Sequence, residues 1–407
     1  MAAAAPSDGS ITPYKIDVPD AAIKSLKEKL AVSQVPSEVD FSNDWAYGSP
    51  RNDVLRLAKY WQDGFDWRAQ EAALNASMPQ FQTTVEVESF GELKIHFVHK
   101  ESVRAGSIPL LFCHGWPGHF LEVAKILPLL TENTKGPSFH VVAPSLPNFG
   151  FSDGVKQRGF SIPQYAQVCH KLMLKLGYNK YVTQGGDWGF IITRLMGALY
   201  PGHVLASHIN FIRARGPPQL TKNPLLYLQH KLLPLSAFEK RGRERSQWFQ
   251  NEGYGYNVEQ GTRPSTIGFA LADPVSLLAW IYEKLHDWTD DYPWADDEIL
   301  TWVSIYQFST AGAAASARIY YESRHAGLDV TAKGFDYLAD TALGTSYFPK
   351  DLSLPPFTWG RTLGPVVFEK AHDDGGHFAA YERPDKLVED IRTMFEGGAK
   401  YVAEQFT

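Results

Sequence analysis

Cysteine is nearly absent from this chain: only Cys113 and Cys169 occur in 407 residues. A disulfide framework of the kind that staples small secreted domains is excluded. Both fall in segments predicted to be buried, so two reduced thiols are the expectation. Basic charge is not in excess: 39 Lys and Arg against 45 Asp and Glu leave a net charge of −6, which argues against a nucleic-acid partner. No window approaches the roughly 18 apolar residues of a membrane span. Residues 1–6 lack the basic and then apolar profile of a secretory signal, so a cytoplasmic protein without a membrane anchor is expected. No metal-ligand spacing and no phosphate-binding glycine loop occur, and neither metal nor cofactor is expected.

What is present is ordinary globular material, 44% hydrophobic and 21% charged, long enough for two or three domains or one elaborated fold. Residues 1–90 read as a helical wrapping region, with Ile23, Leu26 and Leu30 after Pro19-Asp20 and a second helix carrying Leu57, Tyr60 and Trp61. Two alternating runs, 82–89 and 93–99, predict a hairpin about Phe90-Gly91-Glu92. Across 91–213 apolar strands (108–113, 140–143, 180–183, 208–212) alternate with helical patterns (120–130, 165–176, 190–196). That order predicts a mainly parallel sheet with helices on both faces. Residues 214–324 are helical and rich in Trp and Tyr, as a lid would be. The sheet resumes in 325–407, with strands at 345–348 and 365–369 and a last helix at 386–395.

Residues 184–189, Gln-Gly-Gly-Asp-Trp-Gly, join a strand to a helix through small residues, as a nucleophile elbow requires, but Asp187 stands where such elbows carry serine. A carboxylate is already a nucleophile, and its attack on carbon gives an ester that must later be hydrolysed. His114-Gly115-Trp116-Pro117-Gly118, directly after strand 108–113, would supply one oxyanion-hole amide, that of Trp116, and the residue after the nucleophile, Trp188, the other. His377, after the last strand, is placed to act as base, and Asp351, after the preceding strand, to orient it. Lid phenols could donate a proton to a developing alkoxide; Tyr254 or Tyr256, and Tyr320 or Tyr321, are the candidates, and spacing does not choose within either pair.

Taken together these residues resemble the microsomal-type epoxide hydrolases, α/β-hydrolase enzymes with an N-terminal wrapping region. The match includes Tyr60-Trp61, Asp66-Trp67-Arg68, Pro79-Gln80-Phe81, the 114–118 and 185–189 motifs, Thr262-Arg263-Pro264-Ser265, and Gly375-Gly376-His377 with Glu382-Arg383-Pro384. The resemblance implies that Asp187 is the nucleophile, His377 the base and Asp351 its acid partner. It selects Tyr256, eight residues before Pro264, and Tyr320, after Arg318-Ile319. It also implies an epoxide and water as the reactants. His119 departs from the small residue common after Gly118 and is expected to alter the outer face of that loop. Two other readings stand beside this one: a haloalkane dehalogenase, which would share the ester and could bind halide through Trp188, and a non-catalytic binding protein on the same fold. A homodimer, covering apolar lid surface, is a further expectation.

Overall fold

The computed structural model describes residues 9–327 and 329–407, and the 1–6 segment lies outside them. Nine strands make one sheet: β1 (Thr12–Pro13), β2 (Gln80–Val87), β3 (Gly91–Lys100), β4 (Ile108–Cys113), β5 (Phe139–Pro144), β6 (Tyr181–Gly185), β7 (Val204–Ile209), β8 (Ala342–Tyr347) and β9 (Val366–Ala371). Their spatial order is β1-β2-β3-β5-β4-β6-β7-β8-β9. β1, β2, β3 and β5 pair antiparallel, and every pairing from β5 to β9 is parallel. Every residue of β4, β6 and β8 is buried, which is why these strands read as continuous apolar or small-residue runs rather than alternating ones. Cys113 and Cys169 are both buried and unbridged.

Three local expectations are corrected. The helix expected over 120–130 is instead a 3₁₀ turn, Phe120–Val123, followed by a separate short helix, Leu127–Thr131. Pro128 lacks the N–H that a through-running helix needs, so it sits at a new helix start. The strand expected over 208–212 is Val204–Ile209, because the sheet edge is set by pairing with β6 and β8 on either side. The first ninety residues, expected to be helical before the strand at 82–89, contribute β1 to the sheet as well as that strand, β2.

Between β7 and β8 the chain leaves the sheet and forms a helical insertion, including Ala237–Trp248, Gly255–Thr262, Pro274–Asp287, Asp296–Gln307 and Arg318–His325. The N-terminal helices buttress it. Trp61 Nε1 donates to Ser304 Oγ (3.1 Å), Tyr60 OH to Asp297 Oδ1 (2.8 Å) and Ser49 Oγ to the Ala279 carbonyl (2.8 Å), while Arg56 pairs with Asp296. Among the described residues no single helix is long and apolar enough to cross a membrane.

Among the described glycines, the tightest approach to another backbone lies where β6 turns into the helix Asp187–Leu199. A Cβ at Gly189 would collide with the backbone carbonyl of Cys113 in β4. Backbone cannot swing aside as a side chain can, so Gly189→Ala should cost about 3 kcal/mol or more. Gly202→Ala, where nothing lies within 4 Å, should stay within about 0.5 kcal/mol. Urea midpoints of the two variants check the contrast, and equal midpoints would sink it.

Candidate active site

The parallel strands β6, β8 and β9 each end in a loop that delivers one ionisable residue to a common point, as open parallel sheets do at their carboxyl ends. Asp187 follows β6 and holds a left-handed φ of 47°, a strained conformation for a residue with a side chain. Gly115 faces it, and a Cβ there would fall on the Asp187 side chain. That absent Cβ lets the loop backbone close on the carboxylate: the Trp116 amide donates to Asp187 Oδ1 at 2.8 Å. Asp187 also opens its helix, where unpaired N–H groups favour negative charge. The Trp188 amide makes no hydrogen bond to Asp187, so of the two expected donors only Trp116 is engaged with the resting carboxylate. The Trp116–Pro117 peptide is cis.

His377 follows β9 and Asp351 follows β8. His377 Nδ1 lies 2.6 Å from Asp351 Oδ1, and its Nε2 lies 3.4 Å from Asp187 Oδ2. Asp351 is almost fully buried, and its Oδ1 also accepts from the Leu352 amide (2.7 Å). An Nδ1–H donated to Asp351 leaves Nε2 facing Asp187. Burial alone would push the imidazole down. The Asp351 charge and the hydrogen bonds and charge of Asp187 outweigh it, and His377 is pushed up to about 10. The ring is fixed edge-on by Trp288 (5.0 Å), Phe378 (5.3 Å) and Phe211 (5.5 Å). Its loop is tied to the insertion. The His377 amide donates to the Trp288 carbonyl (2.7 Å), and the Gly375 amide donates to Asp290 Oδ2 (2.9 Å). Glu382 links both sides, accepting from the amides of Gly376 (2.8 Å) and Asp290 (3.0 Å).

Above the carboxylate two phenols meet. Tyr256 stacks on Trp116 (5.0 Å between ring centres), and Tyr320 stands edge-on to Trp188 (4.8 Å), Trp116 (5.7 Å) and Tyr256 (5.7 Å). Tyr320 OH is buried with no hydrogen-bond partner. Burial, and then the nearby Asp187 charge together with the other phenols, pushes both hydroxyls well above the usual phenol range, so both keep their protons. The other members differ in their packing, and of the two only Tyr254 lines the same cavity. Tyr254 packs against Phe249 (5.9 Å), and Tyr321 stacks on His325 (4.0 Å).

The expectation for His119 is corrected. It is buried, not on an outer face: its Nδ1 accepts from the Leu121 amide (3.2 Å), capping the 3₁₀ turn, and its Nε2 faces the Trp302 carbonyl (3.3 Å). Burial pushes this imidazole well down, so it is neutral and does the capping work of a Ser while also reaching the insertion. Trp302 Nε1 donates to the Pro117 carbonyl (2.6 Å) and Tyr306 OH to the Gly118 carbonyl (2.7 Å). The helix Asp296–Gln307 therefore clamps the loop that carries the Trp116 amide.

Sequence reasoning missed a small polar cavity beside Asp187, of about 10 Å³, bordered by Glu122, Gln184, Asn210 and His377. That is about the space of one water. Gln184 Nε2 donates to Asn210 Oδ1 (2.6 Å), and Gln184 Oε1 is left buried without a partner. Burial and the Asp187 charge push the Glu122 carboxyl up to about 8 despite the opposing His377. Each of these residues reads alone as an ordinary turn or strand-end polar group, and only folding gathers them. A far larger cavity, about 1220 Å³, opens from the other side of Asp187 past Trp188, Tyr256 and Tyr320.

Comparison with known proteins finds relatives along nearly the whole chain. Residues 11–123 match the epoxide hydrolase N terminus family and residues 108–210 the alpha/beta hydrolase fold family. Epoxide hydrolase 1 of Sus scrofa is 34% identical over 96% of this chain and 89% of its own length. The Aspergillus niger epoxide hydrolase structure superposes with a TM-score of 0.82 at 35% identity, covering 95% of this chain and 96% of that one. The juvenile hormone epoxide hydrolase of Bombyx mori gives 0.86 at 27% identity, covering 97% and 96%. With one ancestry spanning nearly its whole length, this chain belongs to the epoxide hydrolase family and has the α/β-hydrolase fold.

Proposed function

We propose that the protein opens epoxides to vicinal diols through an alkyl ester on Asp187. The observation that carries the reading is a carboxylate with one oxygen bound by an amide and the other flanked by an imidazole, beneath two protonated phenols. Asp187 Oδ2 attacks a ring carbon, and the C–O bond of the epoxide breaks while Tyr256 and Tyr320 hydrogen-bond and protonate the departing oxygen. Water beside Glu122 and Gln184 then gives a proton to His377 and attacks the ester carbon. The tetrahedral oxyanion forms on Oδ1, where the Trp116 amide already lies and the Trp188 amide is the second donor. Collapse releases the diol with Oδ2, and the proton on His377 goes to the leaving alkoxide. The two phenols favour this over halide release, since a departing halide needs no proton.

The pH behaviour follows from the same charges. In the resting enzyme His377 keeps its proton to about pH 10, held partly by Asp187. Esterification removes that carboxylate charge, so the imidazole value falls. The His377 proton leaves to replace the one that the phenols gave to the epoxide oxygen, and the ring is freed to act as base.

Six outcomes are expected. A single turnover in ¹⁸O water leaves the label on Asp187 and none in the diol; label in the first diol would overturn the ester. His377→Gln accumulates a protein adduct of substrate mass, which Asp187→Asn never forms. Tyr256→Phe with Tyr320→Phe lowers the alkylation rate by about 10²–10⁴-fold, and Glu122→Gln slows the later hydrolysis phase more than alkylation. NMR of the resting enzyme places the His377 titration near 10. Since that value lies above the unfolded one, its stabilisation is full below about pH 6.5 and is lost as pH climbs through the folded value. The alkaline fall in Tm should be steeper in wild type than in Asp351→Asn, and equal slopes would refute the linkage.

A further inference from the structure

The chain is net negative, yet the wall of its large cavity carries the opposite sign. Apart from Asp187 itself no Asp or Glu lines that cavity, whereas Arg213, Arg243, Arg324 and His230 do. The three arginines come from separate elements: the segment after β7, the helix Ala237–Trp248 and the helix Arg318–His325. All three are exposed, and the side chain of none makes a hydrogen bond or ion pair to another described residue. Their neighbours differ. Arg215 pairs with Asp336, Arg245 donates to the carbonyls of Asp287 and Lys350, Arg318 to that of Val155, and Arg361 pairs with Glu369. Much of the rest of the wall is apolar, with Phe211, Phe249, Leu352, Leu354 and Trp359. At about 1220 Å³ the space exceeds the roughly 300–1,000 Å³ common for small-ligand sites.

We propose that the cavity takes an epoxide borne on an apolar chain that ends in an anion, a carboxylate in the simplest case. The epoxide would sit at Asp187 and Tyr256, the chain along the aromatic wall, and the anion among Arg213, Arg243 and Arg324. Guanidinium groups suit this because their paired donors match a carboxylate or phosphate fork, and an arginine without an acidic partner has its full charge to offer. This rests on the epoxide hydrolase reading above and adds the substrate class.

The test is a series of terminal-epoxide carboxylates of increasing chain length, each with its methyl ester, assayed with the whole protein for diol formation. At the fitting length the acid should exceed its ester in kcat/KM by about tenfold, which is about 1.4 kcal/mol. The ratio should shrink towards one as salt rises from about 0.01 M to 1 M and the screening length falls from about 30 Å to 3 Å. Replacing the three arginines together, Arg213→Gln, Arg243→Gln and Arg324→Gln, should also bring the ratio towards one. The ratio is internal to each protein, so a general loss of activity cancels. A phosphate in place of the carboxylate, if preferred over its neutral ester, supports the same site and names the other anion. Should esters be opened as well as acids at every length, or the triple variant keep the preference, the proposal fails while the hydrolase reading stands. Should no acid, no ester and no styrene oxide yield diol, the hydrolase reading falls and takes this proposal with it.

Discussion

The close approach of backbone to backbone at the β6 elbow is the constraint on which the rest of the site depends. Gly189 rests against the Cys113 carbonyl and Gly115 against the Asp187 side chain. These contacts bring the loop after β4 to within hydrogen-bonding distance of the turn after β6. Without them the Trp116 amide could not reach Asp187 Oδ1. The left-handed φ at Asp187 is held by the same packing, since β4 and β6 are neighbours in parallel register and leave the turn no slack.

A second layer holds that loop from above. His119, Trp302 and Tyr306 join the 114–119 segment to the helix Asp296–Gln307, and Trp61 and Tyr60 join that helix to the N-terminal helices. The N-terminal region therefore acts on the chemistry at one remove, by fixing the insertion that fixes the amide. Trp288 does the same on the other side, holding the His377 amide through its carbonyl and the imidazole through its ring. The burial so produced raises the phenols and strengthens the charge interactions beneath them.

Legibility followed sequence locality. Asp187 between two glycines, His114–Gly118 after an apolar strand and His377 after the last strand could be read because each motif is contiguous and its position relative to a strand end carries meaning. Tyr256 and Tyr320 could not be chosen by spacing, because the members of each pair are near neighbours in sequence, on or beside one helix, and only ring packing separates them. Glu122, Gln184 and Asn210 gave no signal at all: they come from a turn, a strand and a strand end, and their common cavity exists only once β4, β6 and β7 are adjacent. His119 was misjudged because a polar ring where the family commonly has a small residue was assigned to the outer face of the loop. Its two ring nitrogens instead satisfy one amide and face one carbonyl, which makes a buried neutral imidazole acceptable.

The geometry also orders the two halves of the proposed reaction through a single charge. While Asp187 is ionised it helps keep His377 protonated, and an imidazolium can take no proton from water. The resting enzyme therefore has a nucleophile but no base. Once Oδ2 carries the alkyl group, the charge facing Nε2 is gone while Asp351 still orients Nδ1, and the base appears when there is an ester for it to hydrolyse. Glu122 faces the same pair of charges across the small cavity, with its carboxyl near neutrality in the resting state. Loss of the Asp187 charge removes one repulsion that favours its proton. As His377 in turn gives up its proton, the positive charge that opposed the Glu122 proton is lost as well, so Glu122 stays protonated and His377 alone becomes the proton acceptor for that water.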